Sequence, residues 1–313
     1  MCWRPRGARL AGLLLFLAAT ACAAPPSASS LSIDAGIGYE TQTSPLIRIS
    51  PQGSLILLDD INRLAGSHVR ASLSGMQDWA VGEELRLAVS GDLHLKRSPQ
   101  TRDLDFSNVS LSSALRWPVG PGFLGIGPGV QRIEVAGRHF RDVTGIHADW
   151  TRADERGNHW MVMLDRGRNR HRGDLIDLDS TSTVLMLQHH LAAPLPGVDA
   201  LDLDLSLARE RNDRGFAELS NRNLMLRLGL ERSQWGINWG VGLIRQVDRF
   251  DDTPLPELPR RKDRSTLLEI SAEIALAPGR TLRFDASTVR NQANLALYED
   301  RYRQIGVGVN LSW

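Results

Sequence analysis

Apolar and polar residues alternate along the last stretch of the chain, Arg301–Trp313. The odd positions carry the apolar residues Ile305, Val307, Val309, Leu311 and Trp313. A period of two predicts a β-strand with one apolar face, because successive side chains of a strand point to opposite sides of the sheet. A strand of this kind that ends on an aromatic residue is typical of barrels that cross a bilayer with strands.

The same alternation recurs through the chain and predicts an all-β fold. We predict a transmembrane antiparallel outer-membrane β-barrel of 14 strands, with 12 strands as the alternative, because each segment is long enough to cross a bilayer when tilted. A soluble sandwich or propeller is the other alternative. The predicted strands contain Leu31–Tyr39, Val69–Leu73, Leu85–Leu95, Val109–Trp117, Phe123–Val135, Thr144–Trp150, Trp160–Leu164, Thr183–Leu191, Leu201–Leu207, Leu224–Leu230, Trp235–Leu243, Leu268–Leu276, Leu282–Ala286 and Ile305–Trp313.

Short and long connections alternate between these strands. Bacterial outer-membrane barrels have short turns on the periplasmic side and longer loops outside, so we predict location in a Gram-negative outer membrane with both termini periplasmic. Ala136–Phe140 is the exception, being short where a long loop is expected. The predicted short turns are Val81–Glu83, Pro118–Gly122, Asp154–Asn158, Leu195–Asp199, Glu231–Gln234 and Ala277–Arg280, and the long loops are Thr41–Ser67, Lys96–Asp103, Gly167–Asp177, Arg209–Glu218, Arg249–Arg264 and Asn291–Asp300.

The longest of these predicted loops, Thr41–Ser67, contains the apolar run Leu55–Leu58. Such a run is unfavourable in water. We therefore predict that this loop folds inward or against the rim and blocks the lumen.

Tryptophans are concentrated near the predicted periplasmic turns and the C-terminus, and one more lies slightly further along its strand from a turn. This bias predicts an aromatic girdle at one membrane interface. The residues are Trp79, Trp117, Trp150, Trp160, Trp235, Trp313 and, further in, Trp239.

The N-terminal residues have the pattern of an export signal. Three arginines precede the apolar run Leu10–Ala24, which predicts a secretory signal peptide over residues 1–23. A short periplasmic leader then covers 24–30, and the barrel covers 31–313. Lipidation of Cys22 is an alternative to plain cleavage. Cleavage would remove both Cys2 and Cys22, so the mature chain would contain no disulfide.

The chain has 37 Lys+Arg and 36 Asp+Glu, and the signal peptide removes three arginines and no acid. A nearly neutral mature chain predicts no nucleic-acid partner. The expected partners are outer-membrane lipid and the barrel-assembly machinery, with a periplasmic partner or an exported cargo protein as further candidates. The final strand, through Ile305, Val307, Val309, Leu311 and Trp313, resembles the C-terminal assembly signal of outer-membrane proteins.

Charged residues alternate with the apolar ones and are predicted to face the lumen. Charges of both signs inside a barrel form ion pairs or line a wet pore, although they also simply solvate an interior. The predicted lumen-facing set is Asp34, Arg70, Glu84, Arg86, Asp92, Arg116, Asp202, Asp204, Arg227, Glu269, Glu273, Arg283 and Asp285.

Four arginines stand at a period of two just beyond the strand that contains Trp160–Leu164. If that strand continues, they leave the membrane facing outward at the headgroup level, where they could contact lipopolysaccharide phosphates. A solvated loop is the alternative. These residues are Arg166, Arg168, Arg170 and Arg172.

The sequence contains no pattern specific to an enzyme. None of its serines lies in a G-x-S-x-G elbow. His189 and His190 are adjacent in a predicted strand, so they point to opposite faces and cannot share a metal. We predict no catalytic residue, no cofactor and no metal site.

The C-terminal third, Gln246–Trp313, resembles the end of the surface lipoprotein assembly modifier barrels. The motifs are Arg249–Asp252, Lys262–Arg264, Pro278-Gly279, Val289–Tyr298 and the aromatic-terminated strand. The resemblance implies a barrel that helps move lipoproteins to the cell surface. The tetratricopeptide-repeat region of that family has no counterpart between the predicted signal peptide and the first strand.

We therefore predict a transport or translocation role, such as export or surface display of a protein or lipoprotein. The alternatives are a passive porin-like channel and a structural or adhesive barrel whose loops bind partners.

Overall fold

The computed structural model describes residues 28–49, 55–253, 257–295 and 298–313. The predicted signal peptide, including Cys2 and Cys22, lies outside the described residues. No helix in the described part is long and apolar enough to cross a membrane.

Fourteen strands account for nearly all of the described chain. Three short 3₁₀ helices, Arg102–Leu104, Gly173–Leu178 and Ala217–Leu219, lie in the connections. The strands are β1 (Ala28–Ile49), β2 (Leu55–Ala80), β3 (Arg86–Arg97), β4 (Phe106–Val119), β5 (Gly122–Val135), β6 (Arg138–Ala153), β7 (His159–His171), β8 (Ser180–Leu195), β9 (Val198–Asn212), β10 (Asn221–Gln234), β11 (Ile237–Phe250), β12 (Lys262–Ala277), β13 (Arg280–Ala293) and β14 (Asp300–Ser312).

The strands form one closed antiparallel barrel in which each strand pairs with its neighbours in sequence. β1 pairs with β14 to close the sheet, from Ser32 opposite Ser312 to Thr43 opposite Arg301. The predicted closed barrel of 14 strands is confirmed. Both the start of β1 and the end of β14 lie at one end, which we call the terminal end; the opposite end is the distal end.

The side-chain alternation explains why this sequence closes into a barrel. Apolar residues on every second position are exposed on the outer wall; Ile37, Leu226 and Ile305 are 61%, 51% and 60% exposed. The residues between them point inward and are mainly polar or small. A closed sheet satisfies all backbone groups of its strands without water, so the apolar wall can face hydrocarbon.

Tight turns join the strands at the terminal end, as predicted. Trp235-Gly236 joins β10 to β11, with φ of +56° and +75°. Two successive positive φ values match the twist of a β-hairpin. The predicted turn at Glu231–Gln234 is wrong by a few residues, because β10 continues to Gln234.

The longest predicted loop is also wrong. β1 runs to Ile49 and β2 starts at Leu55, so most of Thr41–Ser67 is an extended hairpin rather than a loop. The backbone of the apolar run Leu55–Leu58 pairs with Leu46–Ile49. The side chains of this run lie outside the described residues, so the blocking of the lumen stays a prediction. β1 also begins at Ala28, within the predicted leader 24–30.

At the distal end, backbone hydrogen bonds extend four strand pairings by one step beyond the paired residues. The pairings are β4–β5, β8–β9, β10–β11 and β12–β13, and we call the residues that make these bonds the distal rim. The bonds run from the Ala136 N–H to the Asp105 carbonyl (2.8 Å), from Asp213 to Asp179 (2.8 Å), from Asp251 to Ser220 (2.9 Å) and from Asn294 to Lys262 (3.1 Å).

Most tryptophans lie near the terminal end, where the girdle was predicted. Trp160, Trp235, Trp239 and Trp313 are exposed, and Trp160 stacks on His189. Trp79 is buried, at 8% exposure. An exposed aromatic band beside the apolar wall fits a lipid–water interface.

Replacing Trp313 with Asp should impair assembly far more than it impairs folded stability. The Trp313 backbone exchanges hydrogen bonds with Leu31 (2.9 and 3.1 Å), which an Asp backbone can keep, while its side chain is 67% exposed. The amount of heat-modifiable barrel in outer membranes measures assembly, and urea unfolding of refolded protein measures stability. Normal membrane levels of the variant would contradict a role in assembly.

Candidate functional site: the barrel lumen

Inward-pointing side chains enclose a polar cavity of about 490 Å³ inside the barrel. Its lining comes from β2, β3 and β4 on one side and from β9 to β14 on the other, so the cavity spans the lumen. Several predicted lumen residues line it: Arg70, Asp202, Arg227, Glu269, Glu273, Arg283 and Asp285.

Most charges of the predicted lumen set are paired with a neighbour on the wall. Two of these pairs are cross-strand ion pairs beside the cavity, Arg227–Asp204 at 3.4 Å and Arg283–Glu273 at 3.6 Å. Pairing between directly opposite residues of adjacent strands keeps these charged side chains close to the barrel wall. Further contacts of this set are Arg116 with Asp149 (3.5 Å), Asp202 with His190 (2.8 Å), Arg86 with Asp78 (3.6 Å), and Asp92, which accepts from Ser110 (3.2 Å).

One residue of the predicted set is misplaced. Glu84 lies in the exposed turn between β2 and β3, because β3 begins only at Arg86. Residues outside the strand do not follow the period of two, so the alternation did not determine its direction.

An arginine crosses the β1–β14 seam on the inside of the barrel. Arg70 of β2 donates two hydrogen bonds to Asp285 of β13, one at 2.9 Å and a shorter one, and its Nε lies 3.7 Å from Asp34. The side chain therefore spans both β1 and β14, which lie between β2 and β13.

Inward-facing glycines leave room for this crossing. Gly36 and Gly308 are opposite each other in the seam, as are Gly38 and Gly306. A Cβ on Gly306 would lie 3.2 Å from an Arg70 nitrogen, and a Cβ on Gly36 would lie 2.5 Å from the Val307 carbonyl oxygen. Side chains at these positions would obstruct both the arginine and the strand pairing.

A buried polar cluster covers the same seam nearer the distal end. Glu40 is fully buried, and its Oε2 accepts from Lys96 Nζ at 2.8 Å and from the Tyr302 hydroxyl at 2.5 Å. His68, 1% exposed, lies with Nδ1 3.7 Å from the other Glu40 oxygen. Because Glu40, Lys96 and Tyr302 belong to β1, β3 and β14, the cluster joins the two ends of the sheet. We call it the seam cluster.

Glu40, His68, Lys96 and Tyr302 were not predicted as functional residues from the sequence. Glu40 and Lys96 continue the inward alternation of their strands beyond the stretches assigned as strand. Longer predicted strands would have included Glu40 and Lys96, but only the strand register shows that their side chains are in contact.

The structure places Arg166, Arg168 and Arg170 in β7 on the outer wall, so the predicted strand continues as far as His171. Arg168 pairs with Asp213 at 3.2 Å, and Arg170 pairs with Asp179 at 2.7 Å. Burial opposes ionisation of Asp179, but the His171 N–H and the Arg170 guanidinium together hold its pKa below the usual range. Arg172 follows the strand, 3.8 Å from Asp142.

No group of three or more metal-ligating side chains is found among the described residues. His190 faces Asp202 on the lumen side and His189 stacks on Trp160 outside, so the adjacent histidines lie on opposite faces of β8.

Comparison with known proteins gives matches only among solved structures. No protein-family model matches the chain, and no curated protein is significantly similar to it. The resemblance to surface lipoprotein assembly modifiers therefore stays a prediction.

Three of the matched solved structures each cover more than 90% of this chain. The outer membrane protein OprD from Pseudomonas aeruginosa is 14% identical, with a TM-score of 0.46 over 93% of this chain and 96% of its own. The anion-selective porin from Comamonas acidovorans is 10% identical (TM-score 0.45, 91% and 99%). OccAB1 from Acinetobacter baumannii is 8% identical (TM-score 0.45, 93% and 98%). At these values the matches carry no argument about function, and the fold rests on the strand pairing itself.

Proposed function

We propose that the protein is an outer-membrane channel for small polar or charged solutes, with both termini in the periplasm. The observation that carries the proposal is the polar cavity of about 490 Å³ that spans the lumen. A cavity lined by paired charges of both signs offers water and ions a polar surface without a strong preference for one sign. The outer apolar wall and the tryptophans near the terminal end support the membrane location.

Translocation of a protein or lipoprotein is the second candidate function. The seam cluster and the Arg70–Asp285 pair support it, because they fill part of the lumen with fixed side chains, as a barrel that is closed at rest requires. A purely structural or adhesive role has no comparable support among the described residues.

The test is conductance of the purified, refolded full chain in a planar bilayer. We expect small, steady channels, because a narrow polar lumen stays hydrated. Glu269→Lys combined with Glu273→Lys should raise the anion-to-cation permeability ratio by about fivefold. The reason is that two acidic side chains lining the cavity, close to the path of the ions, become basic.

The matched control is Glu257→Lys, which makes the same kind of charge change on an exposed residue of the β11–β12 connection. It should alter the permeability ratio much less. Folded barrels that show no conductance would contradict the channel and favour a translocation barrel closed at rest. Equal changes in control and lumen variants would show that ions do not pass through this cavity.

A further inference from the structure

Four cationic residues stand directly opposite one another on adjacent strands near the distal end. Arg222 of β10 is opposite Arg209 of β9 and also opposite Arg249 of β11. Arg249 is in turn opposite Lys262 of β12. We call this line across the outer wall the cation row.

The cation row belongs to the outer face of the barrel. Residues two apart on a strand point to the same side. Two positions from the row lie Leu207, Leu224 and Val247, which are opposite one another in the next line of the wall. Leu207 and Leu224 are 49% and 46% exposed, so a cationic line directly borders the apolar surface.

The protein provides little compensating negative charge for the row. Asp251 lies 3.0 Å from Arg209 and 3.8 Å from Arg222. Within the described part of the chain, neither Arg249 nor Lys262 forms an ion pair. Like charges directly opposite in a sheet destabilise it, so a bound anion would relieve the repulsion within this row.

We propose that the cation row binds the phosphate groups of lipopolysaccharide, whose acyl chains cover the apolar line formed by Leu207, Leu224 and Val247. A phosphorylated lipid carries the two required chemistries in one molecule: an anion for guanidinium groups and, next to it, hydrocarbon for exposed leucines. This inference rests on the proposed outer-membrane location, with the distal end at the outer leaflet.

Three of the four arginines predicted from sequence to make this contact already lie near carboxylates. Arg168 and Arg170 pair with Asp213 and Asp179, and Arg172 lies near Asp142. Arg166 forms no ion pair within the described residues, but it is the only such cation of that set. The cation row has one carboxylate for four cations, so the proposed binding surface centres on β9–β12.

The experiment measures binding of fluorescent lipopolysaccharide to the refolded full chain in neutral detergent. Arg222→Gln combined with Arg249→Gln should weaken binding by about 25-fold, because each cation near an anionic lipid surface contributes about a factor of five. Arg152→Gln is the matched control, an exposed strand arginine at the terminal end, and should leave binding unchanged. Heat-modifiable migration shows that every variant is folded.

Two further lipids identify the ligand. Dephosphorylated lipopolysaccharide should bind the wild-type barrel as weakly as intact lipopolysaccharide binds the double variant, and phosphatidylglycerol should compete poorly. Equal affinity of wild type and double variant, or equal binding of phosphatidylglycerol, would overturn the proposal. The assay requires no channel activity, so its result is separable from failure of the conductance test.

Discussion

Replacing Glu40 with alanine is expected to destabilise the barrel by about 3 kcal/mol. The change removes the acceptor of Lys96 Nζ and of the Tyr302 hydroxyl in a fully buried position. Removing one partner of a buried ion pair leaves the other charge uncompensated. The loss would appear as a lower urea midpoint for barrels refolded into lipid vesicles.

Glu269→Ala is the control for this prediction, because Glu269 is also an inward-facing glutamate but borders the open cavity. It should cost less than about 1 kcal/mol, as substitutions away from buried networks usually do. Adding Lys96→Met to Glu40→Ala should recover part of the lost stability. If the two glutamate variants lose similar stability, the seam cluster does not hold the barrel closed.

Gly36→Ala is expected to produce the second large effect, a loss of about 2–3 kcal/mol and a lower yield of closed barrels. The added Cβ would lie 2.5 Å from the Val307 carbonyl oxygen and 2.9 Å from Gly308 Cα. Both are backbone atoms of the partner strand, so they can move only if the seam widens.

Gly129→Ala tests whether the effect belongs to the seam. Gly129 lies in β5, where a Cβ would come no closer than 3.8 Å to Ser112, an ordinary contact. This variant should fold with nearly wild-type yield, judged by migration of unheated samples on a detergent gel. Similar yields for both glycine variants would show that the seam tolerates widening.

The alternation of side chains predicted the fold well because it reports a local property, namely which face of a strand each residue occupies. It gave the strand number, the barrel class and the inward direction of Arg70 and Asp285. The same rule failed where a strand had ended, as at Glu84, and where pairing continued beyond the recognised pattern, as between Thr41 and Ser67.

Contacts between distant strands could not be predicted in this way. Which residues meet depends on the register of every strand pair and on how tightly the wall curves, and neither is encoded in a period of two. The seam cluster and the cation row both require several registers at once. Glu40 contacts residues of β3 and β14, and Arg222 faces Arg209 and Arg249 only because two registers coincide.

The distal rim has a consequence for how the barrel frays. Four of its backbone amides, from Ala136 to Asn294 along the chain, extend four strand pairings by one step and are therefore expected to exchange slowly with deuterium. Fraying at this end then starts in the connections beyond these bonds and not in the strands. Amide exchange should separate the two regions, being slow in the rim and fast in the connections beyond it.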